Sequence, residues 1–133
     1  LKNLNTISSL DHKISFNMLW LILNPYSVFD TVDFFRSLGY QQNAFIIGPI
    51  TGPTEYDIRN LNDRTLQDLE TRLKARIQGA DSRYLLHNSY VNMLIHLDGK
   101  YNKQPSKTIQ RLKDMDKRRN NNFKNVFDID GYL

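Results

Sequence analysis

Ile14-Ser15-Phe16-Asn17-Met18-Leu19-Trp20-Leu21-Ile22-Leu23 begins in alternation and then turns continuously apolar. That pattern suits a strand buried on both faces, as in a parallel sheet, although a buried helix can carry the same run. Asn24-Pro25-Tyr26 breaks the run. Ser27 and Asp30 have the spacing of a capping box, with Asp in place of the usual Glu. Val28, Val32, Phe35 and Leu38 then recur at helical spacing, and Gly39 stands where a left-handed C-cap belongs. After a short loop over Tyr40 to Asn43, Ala44-Phe45-Ile46-Ile47 predicts a second apolar strand. Strand, crossover helix and strand normally make a right-handed parallel unit. The expected fold class is therefore α/β: a partial parallel βαβ unit over residues 1–61, followed by a helical C-terminal region over 62–133.

Outward from this unit the pattern becomes helical. Gly48 to Glu55 is a loop with two glycines and two prolines. Asn62 then caps a helix whose apolar stripe is Leu66, Leu69, Leu73 and Ile77, with Asp68–Arg72 and Glu70–Lys74 as acid-first pairs on the wet side. Gly79 ends it. A third helix is predicted over Ser82 to Leu97, with Leu86, Tyr90, Met93, Leu94 and Leu97 on one face and a stop at Gly99. A fourth, from Ser106 to Arg119, has only Ile109, Leu112 and Met115 to pack with. Residues 1–12 read as polar loop. The tail residues Phe123, Val126, Phe127, Ile129 and Tyr132 are too aromatic to be idle, and the expectation is that they dock back on the body.

The 133 residues leave no room for a complete (β/α)₈ barrel, and 14 Phe and Tyr residues argue against a disordered chain. No cysteine is present, which excludes disulfides, thiolate zinc sites, a cysteine nucleophile and an iron–sulfur cluster ligated from this segment. The net charge is +4 and is unevenly spread: Lys100 to Lys124 holds nine basic and two acidic residues. Met18 to Leu23, the longest apolar run, is far too short to span a bilayer, and no signal peptide is legible. The expected location is cytoplasmic. Because the sequence begins at Leu1 rather than Met, the chain is expected to be a piece of a longer one.

Familiar chemistry is sparse. His87 and His96 are nine apart on one predicted helix and fall on opposite faces, so they do not share a metal, and His12 has no neighbouring partner. Asp30 and Asp33 share a helix face, but Asp30 reads better as a complement to the helix dipole. Asp128-Ile129-Asp130-Gly131 starts like a calcium loop, yet the further ligands do not follow. The informative stretch is Gly48-Pro49-Ile50-Thr51-Gly52-Pro53-Thr54-Glu55, at the carboxyl end of a predicted parallel strand. Ligands bind at such ends in α/β folds, where glycine admits close approach to the backbone and proline stiffens the loop.

The order of elements from Ile14 to Leu61 resembles the second half of the partial barrel in radical SAM proteins, especially those with a short, cysteine-free, twitch-like C-terminal portion. The features that carry the resemblance are Phe16-Asn17, Leu38-Gly39, Ile46 to Pro53 and Ile58-Arg59-Asn60-Leu61. Gly48-x-Ile50-x-Gly52-x-x-Glu55 matches a pattern that some members use beside the SAM adenine, and Asp116 to Phe123 looks like the family's closing segment. Two positions depart: Asn62 stands where the helix normally opens with Pro, and Phe127-Asp128 replaces a closing Phe followed by Pro-Glu. The resemblance implies a 4Fe–4S cluster and S-adenosylmethionine in the intact protein, with the cysteines upstream of Leu1. Gly48, Ile50, Gly52 and Glu55 would then contact SAM or shape its pocket, Asn17 would face the substrate, and the isolated chain would not be catalytic. Such a piece exposes sheet edges and apolar surface, so self-association is expected.

Two other functions fit the sequence. A basic helical module would set Lys113, Lys117, Arg118, Arg119 and Lys124 on nucleic-acid phosphates, with Tyr101 or Phe123 stacking on bases. A small interaction protein without chemistry is the other.

Overall fold

A computed structural model describes residues 14–119. Strand β1 (Phe16–Trp20) leads through helix α1 (Ser27–Ser37) to strand β2 (Phe45–Pro49), and the two strands pair in parallel with Phe16 opposite Phe45 and Trp20 opposite Pro49. Three helices come after them: α2 (Asp63–Gly79), α3 (Leu85–Asp98) and α4 (Pro105–Arg119). Short 3-10 turns occupy Gln42–Ala44, Thr54–Tyr56 and Ile58–Asn60. The described residues are thus mixed α/β, mostly helical, with a two-stranded parallel sheet. No helix among the described residues is long and apolar enough to cross a membrane.

β1 is shorter than the apolar run that encodes it, and the cause is one side chain. Asn24 accepts from the Leu21 N–H at 2.9 Å and donates to the Leu19 carbonyl at 2.8 Å, which turns the chain out of the sheet. The Trp20 indole N–H ties this turn down on the Pro25 carbonyl at 3.0 Å. The expected Ser27 capping box is not made: Tyr26 occupies the cap position with an already helical backbone and no side-chain cap, so Ser27 lies inside the first turn. Gly39, by contrast, has the positive φ of 100° expected of it. Likewise the Asn62 side chain accepts from the Thr65 N–H at 2.8 Å and starts α2 as predicted. α3 starts later than its periodicity suggests, because Asp81 folds Arg83 and Tyr84 into a turn and Tyr84 is extended. β2 runs past Ile47 through Gly48 and Pro49, so the loop proper begins at Ile50.

One hydrophobic core draws on every helix and both strands. Trp20, Phe29, Phe45, Ile58, Leu61, Leu69, Leu73, Tyr90 and Met93 are buried within it. This core runs across residue 61, so the strand–helix–strand half and the helical half share one interior. α3 packs on β2, and α2 packs on α3. The expectation of strands buried on both faces is met on one face only. Phe16, Met18, Trp20, Phe45 and Ile47 turn toward the helices, whereas Leu19 is 61% exposed and Ile46 43%.

Candidate functional site

The carboxyl ends of β1 and β2 lie side by side, and the Ile50 N–H extends their ladder by donating to the Trp20 carbonyl at 2.9 Å. Beyond it Thr51, Gly52, Pro53 and Thr54 are exposed, Ile50 and Glu55 half-buried. An added Cβ at Gly48 or Gly52 would meet nothing, so the space over both glycines is open.

From behind, this loop is held by its carbonyls. The Tyr101 hydroxyl and the Asn60 amide both donate to the Thr54 carbonyl, at 2.9 and 2.8 Å. The Thr108 hydroxyl donates to the Glu55 carbonyl at 2.6 Å, and the Ile22 N–H donates to the Tyr56 carbonyl at 3.0 Å. Three consecutive carbonyls are thus clamped by residues from β1's exit, the Ile58–Asn60 turn, the stretch before α4 and α4 itself. The Glu55 carboxylate makes no hydrogen bond among the described residues, although the Arg111 guanidinium and Tyr101 lie within electrostatic reach.

Beneath the clamp sits a buried polar cluster that sequence reasoning missed. Asp57 is fully buried and accepts from the Arg59 N–H at 2.9 Å, from Arg59 Nε at 3.0 Å and from Arg59 Nη2 at 2.8 Å. His96 Nε2 lies 3.1 Å from the same carboxylate. Burial alone would push the Asp57 carboxyl up; the Arg59 guanidinium and N–H, with His96, outweigh it and hold the group below its ordinary value. Arg59 in turn lies over the Tyr101 ring at 4.5 Å. Tyr101 is therefore engaged at its hydroxyl and on one ring face. The Asp57–Arg59 spacing of two was visible in the sequence; the meeting with His96 across 39 residues was not.

The residues nominated from the sequence fall into separate places. Gly48, Ile50, Gly52 and Glu55 line or follow the strand ends. Asn17 is exposed and lies on the uncovered face of the sheet, paired in register with Ile46. Lys113, Lys117 and Arg118 are exposed on α4. The Arg119 side chain, His12, Lys124, Phe123, the Asp128–Gly131 stretch and the rest of the tail lie outside the described residues. His87 sits apart from His96, with its Nδ1 buried and without a hydrogen bond. A groove of about 380 Å³ among α1, α2 and α3 contains none of the nominated residues; its Arg76 is committed to a bidentate pair with Asp33 at 2.8 Å.

The two edges of the sheet are unlike. Since the Trp20 carbonyl points to β2, alternation turns the main-chain groups of Asn17 and Leu19 to the outer edge of β1. There Asn24 takes the Leu19 carbonyl, and no strand lies beside the Asn17 groups or the Leu19 N–H among the described residues. On the outer edge of β2 the Ile47 N–H donates to the Ser89 hydroxyl of α3 at 2.9 Å, and Pro49 has no N–H to offer. Among the described residues one edge is closed and the other open. No family model, curated protein or solved structure matches this chain.

Proposed function

We propose that this chain is the C-terminal portion of a radical SAM protein and supplies the end of a partial barrel wall, shaping the mouth where SAM and substrate bind. The observation that carries the reading is the asymmetry of the sheet. Parallel sheets are normally larger and covered on both faces, and a two-stranded parallel pair is a poor unit by itself. Among the described residues one edge is finished by Ser89 and Pro49, one face is packed by helices, and the other edge has no strand beside it, with Leu19 and Ile46 exposed on the other face. That is the form of a terminal wall to which further strands add at β1.

In this reading Gly48, Ile50, Gly52 and Glu55 border SAM. The open space over the two glycines and the Glu55 carboxylate, which makes no hydrogen bond among the described residues, suit a ligand carrying ammonium and hydroxyl donors. Asn17, on the uncovered face, turns toward the space that the barrel would enclose. The chain has no cysteine and offers the 4Fe–4S cluster no thiolate, so the cluster's ligands belong to the upstream part. The cluster and SAM, when bound, supply the radical chemistry; the residues described here position ligand and close the wall.

The test is the coding sequence upstream of Leu1, followed by SAM binding to the intact protein. A closely spaced three-cysteine motif is expected there, and Glu55→Gln is expected to weaken SAM binding several-fold. An upstream sequence without such a motif removes the reading.

A further inference from the structure

Among the described residues, α4 is fastened to the body through its inner side. Leu112 and Thr108 are buried, the Thr108 hydroxyl reaches the Glu55 carbonyl, and the Tyr56 hydroxyl lies 2.7 Å from the Met115 sulfur. At 100° per residue, Lys107, Lys113, Lys117 and Arg118 project from a roughly 140° arc on the opposite side. All four are exposed.

These cations differ from most of the others in how they are matched. Arg59, Arg72, Lys74, Arg76, Arg83 and Lys103 each pair with a carboxylate. Lys107, Lys113, Lys117 and Arg118 form no ion pair among the described residues, although Asp114 falls within the same arc, where it accepts from Gln110 at 2.9 Å. Arg111, on the flank of this face, reaches the Tyr56 hydroxyl at 3.4 Å. Four unmatched cations thus run along about 17 Å of helix, the rise of about five base pairs of duplex.

We propose that the outward face of α4 binds the phosphate backbone of a nucleic acid, through Lys107, Lys113, Lys117 and Arg118. An anionic membrane fits less well, because the apolar residues of α4 are turned inward, leaving nothing to insert among acyl chains. Contacts to phosphates alone carry no sequence information, so the binding expected is sequence-independent. The proposal stands on α4 alone and survives or fails independently of the barrel reading.

The experiment is fluorescence anisotropy of a labelled 20-base-pair duplex titrated with the full chain across a salt series. Lys107→Gln/Lys113→Gln and Lys117→Gln/Arg118→Gln are each expected to weaken binding several-fold. Each is also expected to flatten the log–log salt slope by about 0.9 per cation removed. Arg64→Gln/Lys100→Gln makes the same charge change at exposed sites off α4 and is expected to leave both quantities unchanged. Far-UV circular dichroism confirms that each variant keeps its helices. Absence of binding at low salt, equal weakening in the Arg64/Lys100 variant, or equally tight binding to polyglutamate or phosphatidylserine vesicles would each overturn the proposal.

Discussion

Removing the Asp57 carboxylate is expected to be among the most damaging single changes in this chain. Asp57→Ala takes away the acceptor of three Arg59 donors and of His96 Nε2, in a pair whose side chains are 1% and 17% exposed. Breaking a buried ion pair from one side costs about 3–5 kcal/mol, because the remaining charge keeps its desolvation without its partner. Arg59 retains some access to water, which places the expected loss near the lower end, at about 3 kcal/mol. In urea, with a slope of about 1–1.5 kcal/mol/M for a domain of this size, that is a midpoint lowered by about 2–3 M. Asp57→Asn keeps an acceptor for the Arg59 N–H and should fall between the two. The pH dependence supplies an independent check. The folded carboxyl lies below its unfolded value of about 3.9, so its contribution is complete above that pH and is lost as pH falls through the folded value. The gap between wild type and Asp57→Ala should therefore narrow below about pH 4. A loss under about 1 kcal/mol, or a gap that stays constant into acid, would show that the cluster does not hold the Ile58–Asn60 turn as described.

Asn62→Ala removes the single side-chain cap of α2 and should cost about 1 kcal/mol in urea unfolding; no change would mean that another group satisfies the Thr65 N–H. Ser89→Ala leaves the buried Ile47 N–H without its acceptor and should cost about 1–3 kcal/mol, with faster hydrogen exchange at Ile47, whereas unchanged exchange there would contradict a closed β2 edge. The isolated chain should self-associate by light scattering, and Leu19→Lys should reduce the association by charging the open edge and uncovered face. A monodisperse wild-type monomer would contradict the open wall.

Much of the local structure was legible. The apolar run at Met18 to Trp20 and its echo at Phe45 to Ile47 announced two strands, because short continuous apolar segments between turn signals suit a sheet interior better than a helix. Gly39 and Asn62 marked helix ends because few side chains can adopt a positive φ or cap an N-terminus. Ser27 misled, since its capping spacing was genuine but Tyr26, with a backbone already helical, takes the cap position. In the candidate site, Gly48 to Glu55 could be found from its position after a strand. The clamp upon it could not, since it is assembled from residues 22, 60, 101 and 108.

Periodicity and punctuation act over a few residues, so the amino-acid order alone specified the elements, their sequence and the parallel sense of the strand pair. Which edge of that pair is sealed, which face stays bare and how His96 comes to rest on Asp57 were decided only in three dimensions. Each depends on groups some 40 residues apart, Ser89 on Ile47 and His96 on Asp57, and no spacing rule reaches that far. The packing of α3 against β2 brings Ser89 to Ile47, and the same helix carries His96 to Asp57.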